Sequence, residues 1–168
     1  MAKESPCSWA ARRRVGSATA LGLALVILAS ACATGTGDAA IERDCARLSL
    51  RYAQLIDLGD RAAVADLFTP DGTWETTTSR SEGRAAIAKA LAALGPVRTR
   101  HVITNQLVFR EEGARARGIA YFTLYAANEG SSDLSGQPIM VGIYEDEYAL
   151  TPDGCRFRSR KSSASFKR

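Results

Sequence analysis

The dominant period of this chain's hydrophobic pattern shifts from helical to extended near Gly95-Pro96, and that shift constrains the fold more than any other feature. Before it, apolar residues recur at helical spacing; after it, they fall in extended segments separated by turn-forming clusters. Between Ala39 and Leu58 a single stripe carries Ile41, Cys45, Leu48, Tyr52, Leu55 and Ile56, which predicts an amphipathic first helix. Gly59 ends it, and Asp60 can cap a second helix from Arg61 to Phe68, with Val64, Leu67 and Phe68 facing inward. Pro70-Asp71-Gly72 predicts a turn, Thr73–Thr78 a strand, and the alanine-rich stretch from Gly83 to Leu94 a third helix.

In the second half, Arg100–Phe109 and Ala114–Ala126 read as two strands broken at Glu111-Glu112-Gly113. A polar loop rich in Gly and Ser follows over Asn128–Pro138. Ile139–Leu150 and Arg156–Phe166 then pair around Thr151-Pro152-Asp153-Gly154. Helices first and meandering strands afterwards predict an α+β fold, with the helices packed on one curved antiparallel sheet.

Ahead of this domain, Arg12-Arg13-Arg14 precede an apolar run from Ala18 to Ala31 that ends in Ala29-Ser30-Ala31. The run is shorter than the roughly 20 apolar residues a bilayer span needs. A basic n-region, a short apolar h-region and a small-residue end fit a secretory signal segment over residues 1–31. Leu28-Ala29-Ser30-Ala31-Cys32 resembles the lipobox of bacterial lipoproteins, with Leu28 one place early. That resemblance implies lipidation of Cys32, anchorage to a membrane and residence in the cell envelope. Cleavage before an unmodified Cys32, giving a soluble periplasmic or secreted protein, is the alternative. Residues 32–40 are small and polar and read as a flexible tether, which leaves 41–168 as the domain.

Residues 1–31 carry four basic side chains and one acidic one, whereas the rest carries 18 and 17, so the net charge of +4 belongs mostly to the leader. No basic face remains to neutralise phosphates, which argues against nucleic-acid binding. Cys45 and Cys155 are the two cysteines of the domain. An oxidising compartment would allow them to pair, and two buried thiols are the other reading. With no Cys-x-x-Cys pair and no histidine cluster, no metal site is expected.

Several strings together carry a family resemblance. Tyr52-Ala53-Gln54-Leu55-Ile56-Asp57-Leu58-Gly59-Asp60 is followed by Leu67-Phe68-Thr69-Pro70-Asp71-Gly72-Thr73-Trp74, and then by Gly83 before the alanine-rich helix. Arg100-His101-Val102-Ile103-Thr104-Asn105, Gly142-x-Tyr144-x-Asp146-x-Tyr148, and Asp153-Gly154 with Arg160 continue the pattern. From Ile41 to Arg160 the chain resembles SnoaL-like domains of the nuclear transport factor 2-like superfamily. Cys155 stands where that family often has tryptophan. The resemblance implies a cone-shaped barrel of the cystatin-like kind, with an apolar pocket for a small, flat hydrophobic molecule and no cofactor. The fold hosts isomerases, dehydratases, hydrolases, cyclases and pure binding proteins, so it does not define an activity.

His101 is the chain's one histidine. It stands where the scytalone dehydratase branch of the superfamily carries a catalytic histidine, and Asp57 matches that branch's acidic partner. A carboxylate accepting one imidazole N–H would leave the other nitrogen to move a proton on bound substrate. The same pair could instead be a buried structural link from helix to sheet. Ile56 replaces the tyrosine that the branch places before its acid, and no second histidine occurs on the strand around Gly118–Tyr121. Tyr52, Phe68, Trp74, Tyr121, Met140 and Tyr144 are the expected pocket lining, each also readable as core. Asn105 is a candidate for orienting a substrate carbonyl. Ser131-Ser132 and Thr76–Thr78 lack a second histidine to activate them, so no serine nucleophile is expected. Two functions follow: an exported small-molecule-binding domain with acid–base lyase or isomerase chemistry, or a non-catalytic accessory lipoprotein whose fold supplies a homodimer surface or another partner contact.

Overall fold

A computed structural model describes the backbone of residues 21–128, 130 and 136–168, with side chains from Gly37 onward. Most of the leader and Ser131-Ser132 in the polar loop lie outside the described residues, and so does the side chain of Cys32. The chain divides into two units, residues 1–36 and 37–168. Among the described residues, no helix is long and apolar enough to cross a membrane.

The elements are α1 (Leu21–Asp57), α2 (Arg61–Ala65), β1 (Phe68–Glu75), β2 (Arg80–Glu82), α3 (Arg84–Ala92), β3 (Val97–Arg110), β4 (Arg115–Asn128), β5 (Met140–Thr151) and β6 (Gly154–Lys167). The fold is α+β: N-terminal helices pack on a curved six-stranded sheet in the order β2-β1-β6-β5-β4-β3. Neighbouring strands are antiparallel except β1 and β6, which run parallel.

Three differences from the sequence reading have local causes. α1 begins well before Ala39, and its backbone is helical through the stretch that composition reads as a tether. α2 stops at Ala65, because the Leu67 carbonyl accepts the Phe157 N–H at 2.9 Å and draws the chain into the sheet. Pro70-Asp71-Gly72 lies inside β1, where the register advances five positions, from Phe68 to Thr73, against only two on β6. Proline donates no ladder hydrogen bond, so such an irregularity is one of the few places in a sheet that admits it.

The apolar stripe of α1 buries Cys45, Leu48, Tyr52 and Ile56 against Phe122, Tyr144 and Phe157 from the sheet. Cys45 and Cys155 form a disulfide that ties α1 to the start of β6, and Asp44 Oδ2 accepts the Cys155 N–H beside it at 3.0 Å. Arg160 lies at the centre of this core with no exposed surface. Its Nε donates to Asp146 Oδ1 at 2.8 Å, and its Nη2 to Asp146 Oδ2 at 2.7 Å and to Ser49 Oγ at 2.6 Å. Tyr148 donates to the same carboxylate at 3.0 Å. The guanidinium carbon lies 4.2–4.4 Å from the ring centroids of Tyr52, Tyr144 and Phe157. A buried charge is tolerated only with such a partner set, and the Asp146 carboxylate holds the guanidinium protonated.

Candidate functional site

Where the helices stop short of the sheet's edge, they leave an apolar cavity of about 330 Å³. Its floor is built from buried rings. Tyr52 comes from α1, Trp74 from β1 and Tyr144 from β5, and the Trp74 indole N–H donates to the Tyr52 hydroxyl at 3.1 Å. Phe122 stacks on Tyr144 with centroids 4.3 Å apart. Gly142 makes room for that ring, since a Cβ there would stand 2.8 Å from the Phe122 ring and 2.1 Å from the Ser163 carbonyl oxygen. The rim comes from element ends: Arg61, Leu94 and Val97 on one side, Thr76–Thr78 on another, and Ile139, Met140 and Lys167 on a third.

His101 lies in the wall, on the inward face of β3. Its Nδ1 is 2.7 Å from Asp57 Oδ1, at the last residue of α1. The carboxylate is held from three directions. Oδ2 accepts the His101 backbone N–H at 2.8 Å, and Oδ1 also accepts the Thr99 hydroxyl at 2.8 Å. The Asp57 carbonyl takes a hydrogen bond from Arg100 at 3.1 Å, which ties the end of α1 to β3.

Burial pushes the Asp57 carboxyl up, but the hydrogen bonds from His101 and Thr99 outweigh it, so the group stays below its ordinary value. For His101, burial dominates over the attraction of Asp57, and the Arg160 charge works in the same direction as burial. The imidazole is therefore held below its ordinary 6.5 and is neutral at neutral pH. A neutral ring beside a carboxylate carries its proton on Nδ1, a tautomer assigned here from the hydrogen-bond partner. Nε2 then presents a lone pair and makes no hydrogen bond among the described residues. Such an arrangement is a base in an apolar wall.

The remaining expected site residues divide. Tyr52, Trp74, Tyr144 and Met140 line the cavity; Phe68, Asn105 and Tyr121 do not. Phe68 is fully buried at the start of β1, its ring 5.2 Å from that of Phe157. Asn105 occupies a β-bulge with φ +49°, where Asn105 and Gln106 together oppose the single residue between Tyr121 and Ile119. The bulge exposes Asn105 and turns Gln106 inward, where its amide donates to the Ala46 carbonyl at 2.8 Å. Tyr121 pairs with Thr104 on the outer face and is 44% exposed. Arg61, Thr99, Phe122, Leu124, Ser162 and Lys167 were not anticipated as lining. For Phe122 and Leu124 the signal was available, because β4 alternation places them on the same face as Ala120. Among the described residues, no group of three or more potential metal ligands occurs.

With this geometry in hand, the class is clear: a helix-and-curved-sheet domain with a cavity at one end of the sheet. The chain belongs to the family described as SnoaL-like domain, whose model matches residues 38–161. Among solved structures, it is similar to a variant of Rv3472, a protein of unknown function from Mycobacterium tuberculosis, with 25% identity over 71% of this chain and 72% of that one, and a TM-score of 0.62. A candidate scytalone dehydratase from Novosphingobium aromaticivorans is similar at 18% identity, covering 75% and 85% of the two chains with a TM-score of 0.66. An NTF2-like protein with a cystatin-like fold from the same organism covers 89% and 92% at 23% identity and a TM-score of 0.63. These last two likenesses concern the fold alone. No protein with a curated description matches the chain.

Proposed function

We propose that the domain binds a small hydrophobic molecule in its cavity and moves a proton on it through His101, with Asp57 as the group that positions and tunes the imidazole. The observation that carries this reading is the His101 ring in an apolar wall, with Nδ1 committed to Asp57 and Nε2 without a partner among the described residues. Nε2 would take a proton from a carbon next to a substrate carbonyl. The imidazolium, stabilised by Asp57, would return that proton to another carbon in an isomerisation, or to a departing hydroxyl that leaves as water in a lyase reaction. Neither course needs an oxidant or a metal.

The test is a panel of cyclic hydroxyketones and unsaturated ketones presented to the protein and to His101→Ala. A positioned acid–base group contributes about 10²–10⁴-fold to a rate. Loss of that order in a variant that still melts cooperatively supports the proposal. A variant that melts much earlier yet handles every compound as the parent does overturns it.

We further propose that the protein is exported and anchored through Cys32. The basic, apolar and small-residue order of the leader and the Cys45–Cys155 disulfide support this reading. The intact mass of protein purified from its host is expected to show a chain that starts at an acylated Cys32. A chain retaining Met1 excludes export by cleavage.

A further inference from the structure

The cavity floor and the cavity rim differ in charge. Tyr52 and Tyr144 are neutral phenols on the floor, and burial pushes both hydroxyls further from ionising. The nearby Asp57 carboxylate is taken up by Thr99 and His101 and does not line the cavity. The rim, by contrast, carries two cationic side chains, Arg61 and Lys167, and no acidic residue among the described residues that line the space. Arg61 is half-buried. Its Nη1 donates to the Gly95 carbonyl and its Nη2 to the Val97 carbonyl at 3.1 Å, while its Nε is buried without a partner. Neither Arg61 nor Lys167 takes part in an ion pair among the described residues.

A guanidinium half-withdrawn from water beside an apolar space, fixed by carbonyls and unmatched by a carboxylate among the described residues, leaves a positive potential in that space. The more deeply buried Arg160, by contrast, is neutralised by Asp146 in a bidentate pair. We propose that the missing negative charge is the ligand's. The cavity takes an amphiphilic anion, whose apolar body lies against Phe122, Leu124 and Met140 and whose acidic oxygen group sits at the rim near Arg61 and Lys167. The inference rests on the cavity being a ligand site and adds the class of ligand.

Three probes with one alicyclic body separate the cases: 1-adamantanecarboxylate, 1-adamantanecarboxamide and 1-adamantylmethylammonium. Trp74 lines the cavity, and its fluorescence reports occupancy in protein purified from its host. The carboxylate is expected to bind roughly tenfold more tightly than the carboxamide, the ammonium most weakly, and added salt is expected to weaken the carboxylate alone. Lys167→Gln should reduce the preference, and Arg61→Gln should abolish most of it. Because Arg61 also holds the Gly95 and Val97 carbonyls, Arg61→Lys serves as the folded control and should keep the preference. Equal binding of carboxylate and carboxamide overturns the charge inference and leaves the cavity reading standing. Failure of all three probes to change Trp74 emission overturns both.

Discussion

Two acid-and-base constellations lie on either side of Tyr52 in this domain, and they are built to opposite ends. Around Arg160 the polar atoms are consumed except Nη1, which is buried without a hydrogen-bond partner: Asp146 accepts from the guanidinium and from Tyr148, Ser49 accepts from Nη2, and three aromatic rings pack on the guanidinium. Around Asp57 the carboxylate is equally well supplied, but the imidazole it holds lines the cavity and keeps one nitrogen without a partner among the described residues. Burial and perturbed ionisation are common to both. What separates a structural network from a candidate reaction centre is access: His101 lines the cavity and Arg160 does not.

The comparison breaks first, and hardest, at Asp146. Asp146→Ala leaves a fully buried guanidinium without its carboxylate, an event that costs about 3–5 kcal/mol and that a domain of this size hardly survives. Urea denaturation is expected to show a steep fall in midpoint, with much of it regained when Arg160→Met is added. An Asp146→Ala protein as stable as its parent would mean that solvent reaches the pair.

At the other constellation the expected loss is smaller. Asp57→Asn removes the charge and one acceptor from a half-open site, at a cost of about 1–3 kcal/mol. Its effect on proton transfer should not exceed that of His101→Ala, because the imidazole remains but is less well oriented and less basic. A loss of stability rivalling that at Asp146 would make Asp57 a core residue and dissolve the contrast.

The smallest effect is on pH dependence. His101 is held below its ordinary 6.5 in the folded state, so its neutral form favours folding. That contribution is complete above pH 6.5 and is lost as the pH falls through 6.5 toward the lower folded value, where the unfolded chain binds the extra proton. Asp57, also lowered, adds a second loss below its ordinary 3.8. With a single histidine in the chain, the upper step is assignable, and it should vanish in His101→Ala. Melting temperatures that rise on going from pH 7 to pH 5.5 would show the imidazolium to be the favoured form.

The order of elements was legible because burial writes a period into sequence: the α1 stripe through Cys45, Leu48, Tyr52 and Ile56 is the packed face itself. Irregularities were not legible. Pro70 and Gly72 carry the same local signal whether they make a turn between elements or an interruption inside β1, and only the partner strand β6 decides between them. The bulge at Asn105 has a like consequence, for one extra residue reverses parity and exchanges Asn105 for Gln106 on the inner face. Arg160 eluded reading as core because a lone arginine is expected at the surface. Its partner Asp146 shares strand parity with Tyr144 and Tyr148 on the inward face of β5, and that was the available clue.

β6 is the last of the described strands, and among them it alone joins the pair β2-β1 to the meander β5-β4-β3. A ribosome that has not yet released Gly154–Lys167 holds two sheet fragments with unsatisfied edges, no buried arginine and no partner for Cys45. Assembly of the full sheet is thus postponed until β6 has been made, and truncations within that strand should yield no domain at all rather than a shortened one.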